Sequence, residues 1–124
     1  MFYEVFADTF EYVFNQARIE NPRIAESCSA PEDIERDGST YFVSDDLSTG
    51  YIIREDGELC FLWSAEKGRG NLTVVDAIEN GATHLDCFDG YLVELYARHG
   101  FVETRREANW TPGEPDVVYM ARSN

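Results

Sequence analysis

The chain has 124 residues, enough for one domain with a real core and too few for two. Hydrophobic residues make up 44% and aromatics 14%, which excludes disorder over most of the length. Ten Lys and Arg against 24 Asp and Glu leave a formal charge of -14, a surface that repels nucleic acid and anionic lipid and suits cationic partners.

Along the chain, Phe2, Val5, Phe6, Phe10, Val13, Phe14 and Ala17 recur at spacings of three and four, which predicts an amphipathic helix over 2–18. The ENPR tetrapeptide at 20–23 ends it, because Pro22 cannot continue the hydrogen-bond ladder. SAPEDIER follows, with Ser29 as N-cap, Pro31 near the first helical position and Glu32 and Asp33 in the first turn: the start signals of a short helix.

From Thr40 the period changes to two. TYFVS, GYIIRE and ELCFLWSA read as a three-stranded antiparallel meander, with Asp56-Gly57 as the strongest hairpin signal. LTVVDAIENGA then carries a helical stripe that Asn80 and Gly81 stop. THLDCF reads as a strand, DGYLVELYARHG as a helix with Asp89 as its N-cap, FVETRRE as a strand, NWTPGEPD as a loop and VVYMAR as the last strand. The expected class is α/β (α+β): a mixed central sheet with flanking helices, an antiparallel meander followed by a parallel portion. One domain is expected, with a helical part at 1–38, the meander at 40–64, a loop, helix, strand and helix at 65–101, and closing strands at 102–122.

Cys28, Cys60 and Cys87 are odd in number and lack C-x-x-C spacing, against a zinc site or a disulfide framework. No metal is expected. A reduced, cytoplasmic protein is the simplest reading, since no run approaches a membrane span and the N-terminus lacks the features of a secretory signal.

The basic, glycine-rich turn EKGRGN sits between a strand and a helix. Gly68 and Gly70 let the backbone approach an anion, and Lys67 and Arg69 add charge at the positive end of the helix dipole. It is neither a P-loop nor a dinucleotide fingerprint, and a plain connection would read the same way.

Residues 67–101, KGRGNLTVVDAIENGATHLDCFDGYLVELYARHGF, resemble the GNAT family of N-acetyltransferases. There a strand leads into an [RQ]-x-x-G-x-[GA] pyrophosphate loop, then helix, strand, helix and a closing Y-x-x-x-G-F. Lys67 stands at the Arg or Gln position, Gly70 matches the fixed Gly, and Leu72 replaces a Gly or Ala. LYARHGF, residues 95–101, matches the closing motif without a gap.

The resemblance covers about residues 40–122 and implies an acyl-CoA cosubstrate, acetyl-CoA in the first instance, with direct acyl transfer to an amine. It implies Leu62, Trp63 and Ser64 along the pantetheine arm, and Lys67, Gly68, Arg69, Gly70, Asn71 and Leu72 around the phosphates. Tyr96 takes the place of the thiolate-protonating tyrosine, though a tyrosine packing the helix with Leu92 and Leu95 reads the same. Asp89 is either a cofactor contact or only an N-cap.

Asp86 and Glu58, at strand edges beside the expected cleft, are candidates for the base, against the alternative of solvated surface carboxylates. Trp110 either lines the acceptor pocket or anchors its loop. His99 reads as a favourable cation at a helix C-terminus, and His84 has no metal partner spacing.

The expected partners are a small amine or a basic protein acceptor, together with a homodimer, and neither nucleic acid nor membrane. The competing reading is an inactive, GNAT-like binding or regulatory protein whose acidic surface engages a basic partner, in the manner of a DNA mimic or phage protein.

Overall fold

The computed structural model describes residues 2–22, 38–65 and 68–122, the side chain of Phe61 excepted. The predicted helix at 29–36, Cys28 and Lys67 lie outside these residues. The elements run β1 (Phe2–Val5), α1 (Ala7–Glu20), β2 (Thr40–Ser44), β3 (Thr49–Ile53), β4 (Leu59–Ser64), α2 (Gly70–Glu79), β5 (His84–Phe88), α3 (Tyr91–Ala97), β6 (Phe101–Glu107) and β7 (Val117–Arg122).

The predicted N-terminal helix is shorter than its apolar spacing suggests. Residues 2–5 form a strand that extends the meander, with Phe2 opposite Ser44 and Val5 opposite Tyr41. Phe2 and Val5 would fit a helical stripe, but pairing with β2 satisfies their backbone and seats the Phe2 ring 5.5 Å from that of Tyr51. The stripe proper is Phe10, Val13, Phe14 and Ala17, all buried, and α1 closes at Asn21, whose backbone N–H donates to Ala17 at 2.8 Å.

Strands β1 to β4 form an antiparallel sheet in chain order. Every residue of β3 is buried because both faces of the sheet are covered, so β3 shows no alternation between buried and exposed positions. The pleat still sorts the side chains. Tyr41, Val43, Ile52 and Trp63 pack against α1, while Phe42, Tyr51, Ile53 and Leu59 turn to the other face and meet Val74 and Ala77 of α2 and Leu95 and Tyr96 of α3.

The other three strands make a second antiparallel sheet in the order β5-β7-β6. Its Leu85, Val118, Met120 and Phe101 join the same core as α2 and α3. The expected parallel portion is therefore confined to one place. β4 and β5 meet in parallel only at the Glu58–His84 bridge, where the Thr83 N–H also donates to the Gly57 carbonyl at 2.9 Å.

Gly57 makes that meeting possible. Its φ of +95° closes the hairpin turn, and a Cβ there would stand 2.4 Å from Thr83 Oγ1. Past the bridge the two strands follow different neighbours, β3 and β7, and a wedge opens between the sheets.

Candidate active site

The wedge holds a cavity of about 460 Å³. Its walls bring together Glu58 and Leu62 from the β4 side, Asp86 from β5, Tyr96 from α3, and Trp110 from the loop before β7. Five residues singled out in the sequence thus share one cleft. Three further polar side chains complete it: Arg54, Tyr119 and Glu107.

Tyr96 is 5% exposed, with its ring edge-on to Phe101 at 5.8 Å. It both packs the helix and presents to the cleft, so the two readings of this residue are compatible. Burial raises the Glu58 carboxyl above its ordinary value, with Asp86 and Asp56 adding to the rise and Arg54 and His84 opposing it. The Arg54 guanidinium lies 3.4 Å from Glu58 Oε1.

Burial also pushes the Cys87 thiol up to about 11, which leaves it protonated and a poor nucleophile.

On the far wall, Tyr119 stands opposite Asp86 in the β5–β7 pairing and donates its hydroxyl to Glu107 at 3.2 Å. Arg105 covers the Tyr119 ring at 4.1 Å and pairs with Glu107 at 2.9 Å. Trp110 is 88% exposed at the rim, on a loop that Asn109 braces by donating to the Pro115 carbonyl at 3.0 Å and accepting from the Thr111 N–H at 2.9 Å.

The glycine turn is organised differently from its composition. The Arg69 guanidinium faces the β2–β3 turn, pairing with Asp46 at 2.7 Å and donating to Ser48 at 3.1 Å. Asn71 Oδ1 lies 2.8 Å from the His99 ring, which ties the start of α2 to the end of α3. Leu72 is exposed and borders a second cavity of about 450 Å³, so its side chain is absent from the wedge lining.

Gly70 lies close against α3: a Cβ there would stand 3.0 Å from Leu95 Cδ2, a tight contact that the leucine would have to yield to. Gly68 takes the left-handed backbone, φ +81°, with open space where a Cβ would be.

No side chain caps α2. Thr73 is the residue whose N–H closes the first turn, onto the Arg69 carbonyl at 3.0 Å. The preceding N–H groups at Gly70, Asn71 and Leu72 are the ones a helix start leaves without an intrahelical acceptor, and they suit an anion.

The side chains of Trp63 and Ser64 do not enter the wedge. Trp63 is buried against Phe10 and Phe14, and Ser64 shares a hydrogen bond with Thr49 at 3.1 Å. Asp89 is not the N-cap of α3. Gly90 holds that position without a side-chain bond, and Asp89 instead pairs with Arg106 of β6 at 2.7 Å, where a fixed cation offers more than a helix end.

Among the described residues no helix is long and apolar enough to cross a membrane. No protein-family model matches the sequence, and a search of curated proteins finds no match. Solved structures do match.

An aminoglycoside 6'-acetyltransferase type Ii superposes with a TM-score of 0.68 at 15% identity, over 99% of this chain and 96% of that one. A spermidine N-acetyltransferase from Vibrio cholerae gives 0.67 at 16% identity, over 98% and 94%. A GCN5-related N-acetyltransferase from Rhodopseudomonas palustris gives 0.64 at 19% identity, over 100% and 95%. The chain therefore has the GNAT fold, with its antiparallel sheets, its helices and the wedge between β4 and β5.

Proposed function

We propose that the chain is an acyl-CoA-dependent N-acyltransferase, with acetyl-CoA as donor and the amine of a small cationic molecule or a basic protein as acceptor. The observation that carries this reading is the wedge itself, in which the Tyr96 phenol and the Glu58 and Asp86 carboxylates, among other polar groups, share a cavity where the two sheets part. The match to solved N-acetyltransferases over nearly the whole chain supports it.

The cosubstrate fits the residues present. Its phosphates suit the uncapped start of α2 and the left-handed turn at Gly68. It would supply an acyl thioester. Glu58 takes the proton that an ammonium must lose before its nitrogen can form the amide bond, and its raised pKa brings it nearer the operating pH of a base.

Asp86 favours a cationic acceptor by charge. Tyr96 gives a proton to the sulfur as the carbon–sulfur bond breaks. The acceptor enters past Trp110, Tyr119 and Glu107, an aromatic and acidic wall suited to a cation.

A second reading keeps the fold without the activity, the formal charge of -14 serving to engage a basic partner. Calorimetry separates the two. Acetyl-CoA and desulfo-CoA should both bind with micromolar Kd, and no heat at millimolar ligand removes the enzyme reading. Asn71→Asp sharpens the result. It keeps an acceptor oxygen for His99 and places an anion at a helix start, which favours folding, yet it should weaken acetyl-CoA about tenfold by repelling phosphate.

A further inference from the structure

We propose that Arg54 is the positioning residue for Glu58, holding that carboxylate ionised and directed along the wall of the wedge. The inference rests on Glu58 as the base proposed above.

The β3–β4 hairpin makes the pair. The Arg54 N–H donates to the Glu58 carbonyl at 2.8 Å, and the Gly57 N–H donates to the Arg54 carbonyl at 2.9 Å. Residues 54 and 58 are thereby partners across the turn, and Arg54 Nη1 lies 3.4 Å from Glu58 Oε1 with both side chains at the cavity.

The frame has little freedom. Gly57 has no room for a Cβ against Thr83, Asp56 Oδ1 accepts from the Glu58 N–H at 3.0 Å, and Glu58 bridges to His84 of β5. These bonds fix the Glu58 backbone between Arg54 and β5.

The surroundings show what a fixed cation opposes there. Carboxylate oxygens of Asp56 and Glu58 and a ring nitrogen of His84 lie within 4.8 Å of one another. Asp86 faces Glu58 from β5, and the cavity's other titratable groups are Cys60, Cys87, Tyr96, Glu107 and Tyr119.

Burial, Asp56 and Asp86 all favour a protonated Glu58. Of the opposing groups, Arg54 carries a guanidinium, whose charge persists at every relevant pH. Arg54 is the only Arg or Lys among the described residues lining the cavity. A base must be ionised before the acceptor arrives, and Arg54 is placed to favour that form with a persistent charge.

The test reads the Glu58 carboxyl directly, by a 13C NMR titration of the full chain labelled at its glutamate side chains, with Glu58→Gln identifying the resonance. In Arg54→Gln the Glu58 midpoint should rise by about half a pH unit, the size expected of a partly exposed pair, and Arg54→Lys should restore it. A midpoint that moves by less than about 0.1 unit in Arg54→Gln, with resonances away from the cleft unchanged, overturns the proposal.

Failure of the underlying reading looks different. With acetyl-CoA and spermidine as probes, Glu58→Gln would then turn over at the wild-type rate. That result would remove Glu58 as the base whatever the titration gave, whereas an unmoved midpoint beside an inactive Glu58→Gln would dismiss Arg54 alone.

Discussion

Two cavities of nearly equal volume flank the molecule, about 460 and 450 Å³, and both are lined by carboxylates, yet those carboxylates are held in opposite ways. In the wedge, burial and like charge push Glu58 upward toward the protonated form. Beside α2, Asp46 accepts from Arg69, from the hydroxyls of Ser44 and Ser48 and from the Ser48 N–H, and these bonds hold it far below the usual carboxylate range.

Asp76 in the same second cavity receives the Tyr51 hydroxyl and the Asn80 amide. A carboxylate already satisfied by several donors is committed to structure. One that is desolvated and imperfectly paired retains basicity, and so can exchange protons with a ligand. In a chain with 24 acidic residues, this distinction separates candidates for chemistry from carboxylates that hold the fold.

The largest expected effects fall in the wedge. Glu58→Gln and Tyr96→Phe should each lower kcat/KM by about 10²–10⁴, the range for loss of a general base or acid, with unchanged circular dichroism. The stability of Glu58→Gln sharpens the contrast. A carboxyl whose pKa is raised on folding destabilises the native state once it is ionised, so this variant should unfold at neutral pH no more easily than the wild type. Full activity in both variants would erase the distinction between the two cavities.

Tyr51→Phe probes the other side and should act on stability alone. The residue is fully buried, and its hydroxyl joins β3 to α2 by donating to Asp76 and accepting from Asn80 Nδ2 at 3.1 Å. Burial, with Asp76 close by, raises its pKa well above the ordinary tyrosine value, so it remains a donor at every relevant pH. Its loss should lower the unfolding free energy by about 1–3 kcal/mol in urea with an unchanged m value. An unchanged midpoint would mean that the second cavity's carboxylates are as loosely held as those of the wedge.

Much of this architecture was legible locally. The strands at 40–44, 84–88, 101–107 and 117–122 follow from β-branched and aromatic runs between turn signals, and Asp56-Gly57 does mark a hairpin. The motif LYARHGF led to Tyr96 and the strand edge beside the expected cleft to Asp86, and both reach the wedge.

What stayed hidden depends on tertiary pairing. Phe2 and Val5 satisfy a helical period equally well, and only the free side of β2 makes them a strand. Tyr119 and Glu107 enter the site because Asp86 registers with Tyr119 and Tyr119 with Arg105, pairings that no local pattern encodes. Arg69 read as charge for a ligand. Its geometry assigns it to Asp46, an acceptor 23 residues earlier in the chain.

The smallest effect, and the one that tests the sign of the comparison, belongs to that Asp46–Arg69 pair. Asp46 has an ordinary value of 3.8 and a lower one in the fold, so its contribution to stability is present above the ordinary value and is lost as pH falls below it. Asp46→Asn should therefore unfold at a lower temperature than the wild type at pH 7, and the gap should narrow on acidification through the carboxylate range. The difference will be small, since Asp46 is solvent-exposed and screened. Melting curves from pH 7 to pH 3 read it directly. A gap that stays constant would mean that the bonds around Asp46 do not depend on its charge, and the contrast with Glu58 would then reduce to one of burial.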